Sequence, residues 1–162
     1  MPGAGKSTSG RLLAKLLDMH FIDIDDMIRE QQRRSLQEIV DGEGPEYLRK
    51  LEEQVILSLA LENTVISTGG SVVYSAAAMQ HLSALSYVVY LQAPYEIIAD
   101  RIRDLDTRGL ARQPQQTLQD LYKERVVLYE RYAEITVDAA LAADTVAKNI
   151  ALEVQRLLTT VA

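Results

Sequence analysis

Met1-Pro2-Gly3-Ala4-Gly5-Lys6-Ser7-Thr8 opens the chain, and these residues decide the fold. Gly5-Lys6-Ser7 ends the phosphate-loop pattern G-x-x-x-x-G-K-[ST], whose leading glycine would stand just before Met1. Glycines in such a loop let successive backbone N–H groups turn inward around phosphate oxygens, and the helix that follows adds the positive end of its dipole. The expectation is that Gly3, Ala4, Gly5 and Thr8 wrap the phosphates of a nucleotide, that Lys6 reaches the β- and γ-phosphates, and that the Ser7 hydroxyl ligates Mg²⁺. The plainer alternative is a glycine-rich helix start with an exposed lysine. Against it stand the strongly amphipathic stretch 6–17 and the acidic strand end that come next.

That strand end is Phe21-Ile22-Asp23-Ile24-Asp25-Asp26. On an extended chain Asp23 and Asp25 project to the same side, at the carboxyl end where open α/β sheets place their ligands. Asp23 is then a candidate to hold the metal's water shell, and Asp25 to orient and deprotonate an acceptor hydroxyl. A solvated strand end with a helix cap is the competing reading, and Asp26 is assigned only a capping role. Further on, Arg49 and Glu52 stand three apart on a helix over 45–61, so Glu52 can fix a planar guanidinium that suits a carboxylate. By itself such a pair is more often a weak surface salt bridge. Ser67-Thr68-Gly69-Gly70-Ser71 ends another strand with adjacent glycines, which allow close approach of a ligand to the backbone or simply make a strand-to-helix turn.

Outside these motifs, apolar positions alternate between short β-rich runs at 20–24, 64–68, 87–92 and 134–137 and helical spacing at 6–17, 25–34, 45–61, 76–82, 95–104, 117–132 and 144–158. Alternation of this kind predicts an α/β fold with a largely parallel sheet. The 162 residues suit a single domain, 1–162, and the absence of cysteine excludes disulfides, thiolate catalysis and cysteine metal sites. A net charge of -6 opposes a broad hold on nucleic acid or an anionic membrane, so bases must act locally. Without a transmembrane run or a basic-then-apolar leader, a cytoplasmic protein is expected, working as a monomer. The stretch 106–116, with Gly109, Pro114, glutamines and two arginines, reads as a loop. His20 and His81 have no metal-ligand partner at sensible spacing, and most of the tyrosines read as packing residues.

In order and approximate spacing, the phosphate loop, Asp23-x-Asp25, Arg49-x-x-Glu52, Thr68-Gly69-Gly70 and Glu124-Arg125-x-x-Leu128-Tyr129 resemble shikimate kinase, and the likeness runs from Met1 to about Asp138. The resemblance implies a P-loop kinase with a five-stranded parallel sheet in the order 2-3-1-4-5, an acceptor region over about 25–62 and a lid over about 105–116. It implies transfer of the γ-phosphoryl group of ATP to the 3-hydroxyl of shikimate, a small, anionic, hydroxylated substrate. Carried over by position, Asp25 is the base, Arg49 and Arg125 grip the carboxylate, and Gly69 and Gly70 contribute backbone contacts. Arg108 is the lid arginine, with Arg112 as its rival, and Arg101 packs on adenine unless Arg103 does so. Tyr129 is a candidate to seat Arg125, and 35–44 corresponds to a helix on the substrate side.

Four positions depart from the family pattern: Ser71 for glycine, Leu48 for phenylalanine, Gly109 for proline and Val127 for proline. Leu48 and Val127 adjoin the two carboxylate-binding arginines in this reading. A kinase for another small hydroxylated acid, such as homoserine or gluconate, and a nucleotide-binding module without turnover are therefore the alternatives. The strand that precedes the phosphate loop is central in the family's sheet. Its loss would unpair both neighbours, at a cost above the roughly 5–15 kcal/mol that separates folded from unfolded chains. The expectation is that about ten apolar, β-branched residues ending in glycine lie upstream of Met1.

Overall fold

In the computed structural model, which describes residues 1–102 and 115–161, the opening loop turns through positive φ at Gly3 (73°) and Gly5 (85°) and runs straight into α1 (Lys6–Leu17). A side chain at either glycine would be held in the left-handed region, which is why the turn uses residues that lack one. The chain continues through β1 (His20–Asp23), α2 (Ile24–Gln32), α3 (Leu36–Glu43), α4 (Pro45–Leu57) and β2 (Thr64–Ser67). A single 3₁₀ turn (Val72–Tyr74) leads to α5 (Ala76–Leu85), β3 (Val89–Gln92), α6 (Tyr95–Arg101), α7 (Leu118–Tyr132), β4 (Ile135–Asp138) and α8 (Ala143–Val161).

All pairing among the described strands is parallel. β1 lies on β2 with His20 opposite Thr64 and Asp23 opposite Ser67; β3 lies on β4 with Val89 opposite Ile135 and Gln92 opposite Asp138. These are two separate pairs among the described strands. Parallel strands align their carboxyl ends, so Asp23 and Ser67 emerge side by side, next to the opening loop. α1 packs on α8 and against both β1 and β2, while α4 packs against α2, α3 and α5. Ile24, Ile28, Ile39, Ile56, Ile98, Leu121 and Val146 are fully buried between these layers.

Several boundaries differ from the sequence expectation for local reasons. β1 stops at Asp23 because the Asp23 carboxylate accepts the Asp25 N–H at 3.0 Å and so caps α2. Asp25 therefore sits in the first turn of a helix, and its side chain is not aimed by strand alternation. The cap is Asp23 rather than Asp26, which pairs instead with Arg29 and Arg11. α3 is held by a reciprocal Ser35–Glu38 capping box and α7 by the same device at Thr117–Asp120. α4 ends at Leu57, short of residue 61, and α5 runs on to Leu85. The expected lid lies almost wholly outside the described residues, and with it Arg103, Arg108, Gly109 and Arg112. No helix among the described residues is long and apolar enough to cross a membrane.

Candidate active site

One cavity of about 620 Å³ opens where the carboxyl ends of β1 and β2 meet the N-terminus of α1. Its wall on the loop side is Gly3, Gly5, Lys6, Ser7 and Thr8; Ala4 is buried beneath them and does not line it. The opposite wall is Asp25, Glu52, Gly69, Gly70 and Arg125, closed by Leu48 and by Ser35, Leu36 and Gln37 at the start of α3. Arg101 lines the cavity too, its guanidinium tied to the carbonyls of Ala139 at 2.8 Å and Ala140 at 3.4 Å. The arrangement brings Lys6, Asp25 and Arg125 to a single space.

Charge alternates across that space. The Lys6 ammonium donates to the Met1 carbonyl at 2.7 Å. Burial lowers its pKa, with Arg125 adding to the effect and Asp25, Asp23 and Glu52 opposing it. Burial raises the pKa of Asp25, with Lys6 pulling the other way. Glu52 is pushed up to about 7, chiefly by burial, although Ser71, Arg125 and Arg49 favour its charged form. Carboxylates whose pKa is raised by burial beside cations are a common feature of reactive pockets.

Ser7 donates to the Asp23 carboxylate at 2.5 Å, and the Ser67 hydroxyl lies 3.5 Å from the Ser7 oxygen. Asp23 is buried behind Ser7 and does not line the cavity. Hard oxygen donors of this kind, a hydroxyl backed by a carboxylate, suit Mg²⁺. The described residues hold no cluster of three or more His, Cys, Asp or Glu that could hold a metal ion.

The adjacent glycines are required by protein groups. A Cβ at Gly69 would overlap the Glu52 carboxylate, and one at Gly70 would fall 2.9 Å from Arg125 Nη1 and 3.2 Å from the Tyr129 hydroxyl. Arg125 is only 2% exposed, and Tyr129 accepts from it while donating to the Gly70 carbonyl at 2.7 Å. Tyr129 thus seats Arg125, as expected, and is itself stacked on Tyr90 at 5.1 Å.

Two expectations need correction. Glu52 does not orient Arg49: its carboxylate accepts from the Ser71 hydroxyl, and Arg49 pairs with Glu46, one turn the other way, at 3.0 Å. Nor does Arg49 line the main cavity. It faces an adjoining cavity of about 180 Å³ that shares Glu52 and Ser71 with the first, and there its guanidinium lies over the Tyr74 ring at 4.1 Å. Of the unusual positions, Leu48 and Ser71 line the main cavity, whereas Val127 is 65% exposed and turns away. Ser71 stood out in the sequence only as a departure from the family's glycine, and Tyr74 carried no signal beyond its place shortly after the glycine pair.

A family model described as shikimate kinase matches residues 2–155. The chain is 32% identical to a shikimate kinase of Aquifex aeolicus over 94% of this chain and 90% of that protein. It is 42% identical to one of Pasteurella multocida, over 83% of this chain and 79% of the relative. Among solved structures it is similar to the shikimate kinase of Acinetobacter baumannii in complex with shikimate, with a TM-score of 0.84 and 32% identity over 98% of this chain and 88% of that one.

Proposed function

This chain belongs to the shikimate kinase family, and we propose that it transfers the γ-phosphoryl group of ATP to the 3-hydroxyl of shikimate, giving shikimate 3-phosphate and ADP. The observation that carries the reading is the one cavity in which Lys6 of the phosphate loop faces Asp25 and Arg125. An acceptor that fits it is anionic at one end and hydroxylated at the other.

In this mechanism the backbone around Gly3, Gly5 and Thr8 cradles the phosphates, and Lys6 neutralises charge on the group in transit. Arg101, fixed by two carbonyls, borders the nucleotide. Ser7, backed by Asp23, would hold Mg²⁺, which supplies electrostatic stabilisation of the phosphate oxygens. Asp25 accepts the proton of the acceptor hydroxyl. As it does so, a new bond forms from that oxygen to the γ-phosphorus, the bond from phosphorus to the bridging oxygen breaks, and ADP departs. Burial raises the pKa of Asp25 and so makes it a stronger base than a solvated carboxylate. Arg125, braced by Tyr129, holds the acceptor carboxylate, with Arg49 behind it and the backbone of Gly69 and Gly70 alongside. Arg108 of the lid completes the charge around the transferring group and, with the lid shut, keeps out water that would compete as acceptor. The same reading takes 1–162 as one catalytic domain, monomeric and at work in the cytoplasm, where ATP is regenerated.

The test is to offer the purified protein ATP and Mg²⁺ with shikimate, homoserine or gluconate in separate reactions and to identify products by mass. Phosphorylated shikimate is the expected product. Phosphorylation of another acid alone would overturn the substrate assignment, and no product from any acceptor would favour a nucleotide-binding module.

A further inference from the structure

The 3₁₀ turn after the glycine pair delivers Tyr74 between two helices that are far apart in sequence. From α4, the Arg49 guanidinium lies over its ring at 4.1 Å; from α7, the Arg125 guanidinium lies 5.3 Å from the ring centre. Arg125 Nε also donates to the Tyr74 hydroxyl at 3.3 Å, and that hydroxyl is hydrogen-bonded to Glu124 on the same helix. Tyr74 lines the smaller cavity together with Arg49, while Arg125 lines the larger one. The ring therefore stands at the partition between them.

We propose that Tyr74 is a positioning residue for acceptor recognition: its ring and hydroxyl set the spacing of Arg49 and Arg125 and so build the carboxylate-binding end of the site. The inference rests on the shikimate reading given above. Its physical basis is that a guanidinium over an aromatic face is attracted by the ring quadrupole and restricted in the directions it can point, so less rotamer freedom is lost when a carboxylate binds. Arg125 is already confined by Tyr129. Arg49, which also pairs with the exposed Glu46, has its guanidinium laid against the Tyr74 ring and restricted by it. The relay from Glu124 through the Tyr74 hydroxyl to Arg125 adds a second restraint that the ring alone would not supply.

The experiment compares wild type, Tyr74→Phe and Tyr74→Leu, with thermal unfolding to confirm the fold, and uses shikimate and its methyl ester, which lacks the carboxylate charge. The ester is followed as substrate or, where turnover is too slow, as inhibitor. Tyr74→Leu is expected to raise the KM for shikimate about tenfold, with kcat and the KM for ATP held within about twofold. Recognition of the ester should be unaffected. Tyr74→Phe, which keeps the ring over Arg49 and loses the hydroxyl, should fall between the two. Equal losses for shikimate and ester, a fall in kcat at constant KM, or an unaltered shikimate KM would each overturn the proposal. Wild-type protein that fails to phosphorylate shikimate would instead remove the reading on which it rests. Should Tyr74→Leu not fold, the isosteric Tyr74→Phe carries the decision: a rise in shikimate KM confined to the charged acceptor supports the proposal, and no rise refutes it.

Discussion

Replacing Glu52 with glutamine should change the pH dependence of stability, and the size of the change follows from where Glu52 sits. Its carboxyl is 3% exposed, beneath Gly69, with Asp25 from α2 and Lys6 from α1 facing it and Arg125 and Arg49 nearby. Its pKa is raised from 4.5 to about 7, chiefly by burial. Below 4.5 both folded and unfolded chains carry the proton, and Glu52 contributes no pH dependence. Between 4.5 and 7 the unfolded chain has released the proton and the folded chain still holds it, so stability falls as pH rises, and above 7 the loss is complete. At about 1.4 kcal/mol per unit the full penalty is about 3.5 kcal/mol, of which about 2 kcal/mol accrues between about pH 5.5 and pH 7. Glu52→Gln removes the titration while keeping an acceptor for the Ser71 hydroxyl. The difference in Tm, variant minus wild type, should therefore climb by about 4–8 °C across that interval. Scanning calorimetry at closely spaced pH values measures it. A difference that stays flat, or that falls with rising pH, would refute the claim that Glu52 is held protonated by its surroundings.

Asp25→Asn should lower kcat about 10²–10⁴-fold while nucleotide affinity, measured by titration calorimetry, is retained; a large loss of ATP binding would mean that the carboxylate belongs to the nucleotide side. Gly70→Ala places a methyl group 2.9 Å from the buried Arg125 Nη1, so the KM for shikimate should rise about tenfold with the KM for ATP unaltered; equal changes in both would count against Arg125 as the carboxylate ligand. Ser35→Ala removes one half of the capping box at α3 and should cost about 1 kcal/mol, seen as a Tm lower by about 2–4 °C; an unchanged Tm would mean the first turn of α3 is satisfied by other groups.

Most of the architecture was legible because it depends on local pattern. The 3.6-residue spacing of α1 and the β-rich runs pointed to an α/β fold by local pattern, whereas the strand order came only from the family resemblance. What the sequence concealed lay in competition between local signals. Asp23-Ile24-Asp25 alternates like a strand, yet an aspartate is also a strong helix cap, and the cap won at Asp23 because Ile24 has the core to fill. Arg49 has a carboxylate three residues away on either side, Glu46 and Glu52. Spacing cannot choose between them; burial of Glu52 against Ser71 does. Tyr74 is not singled out by the sequence because no spacing rule connects residues 49, 74 and 125. Their meeting is a product of how α4, the turn after β2 and α7 pack.

The account stands on nucleotide and acceptor sharing the space between Lys6 and Arg125, and a crystal structure with Mg²⁺, a non-hydrolysable ATP analogue and shikimate measures this directly. It should place the terminal phosphate beside Lys6, the reacting hydroxyl within hydrogen-bond reach of Asp25, and the carboxylate on Arg125. Shikimate bound elsewhere, or turned so that its carboxylate meets Asp25 while its hydroxyls face Arg125, would contradict it.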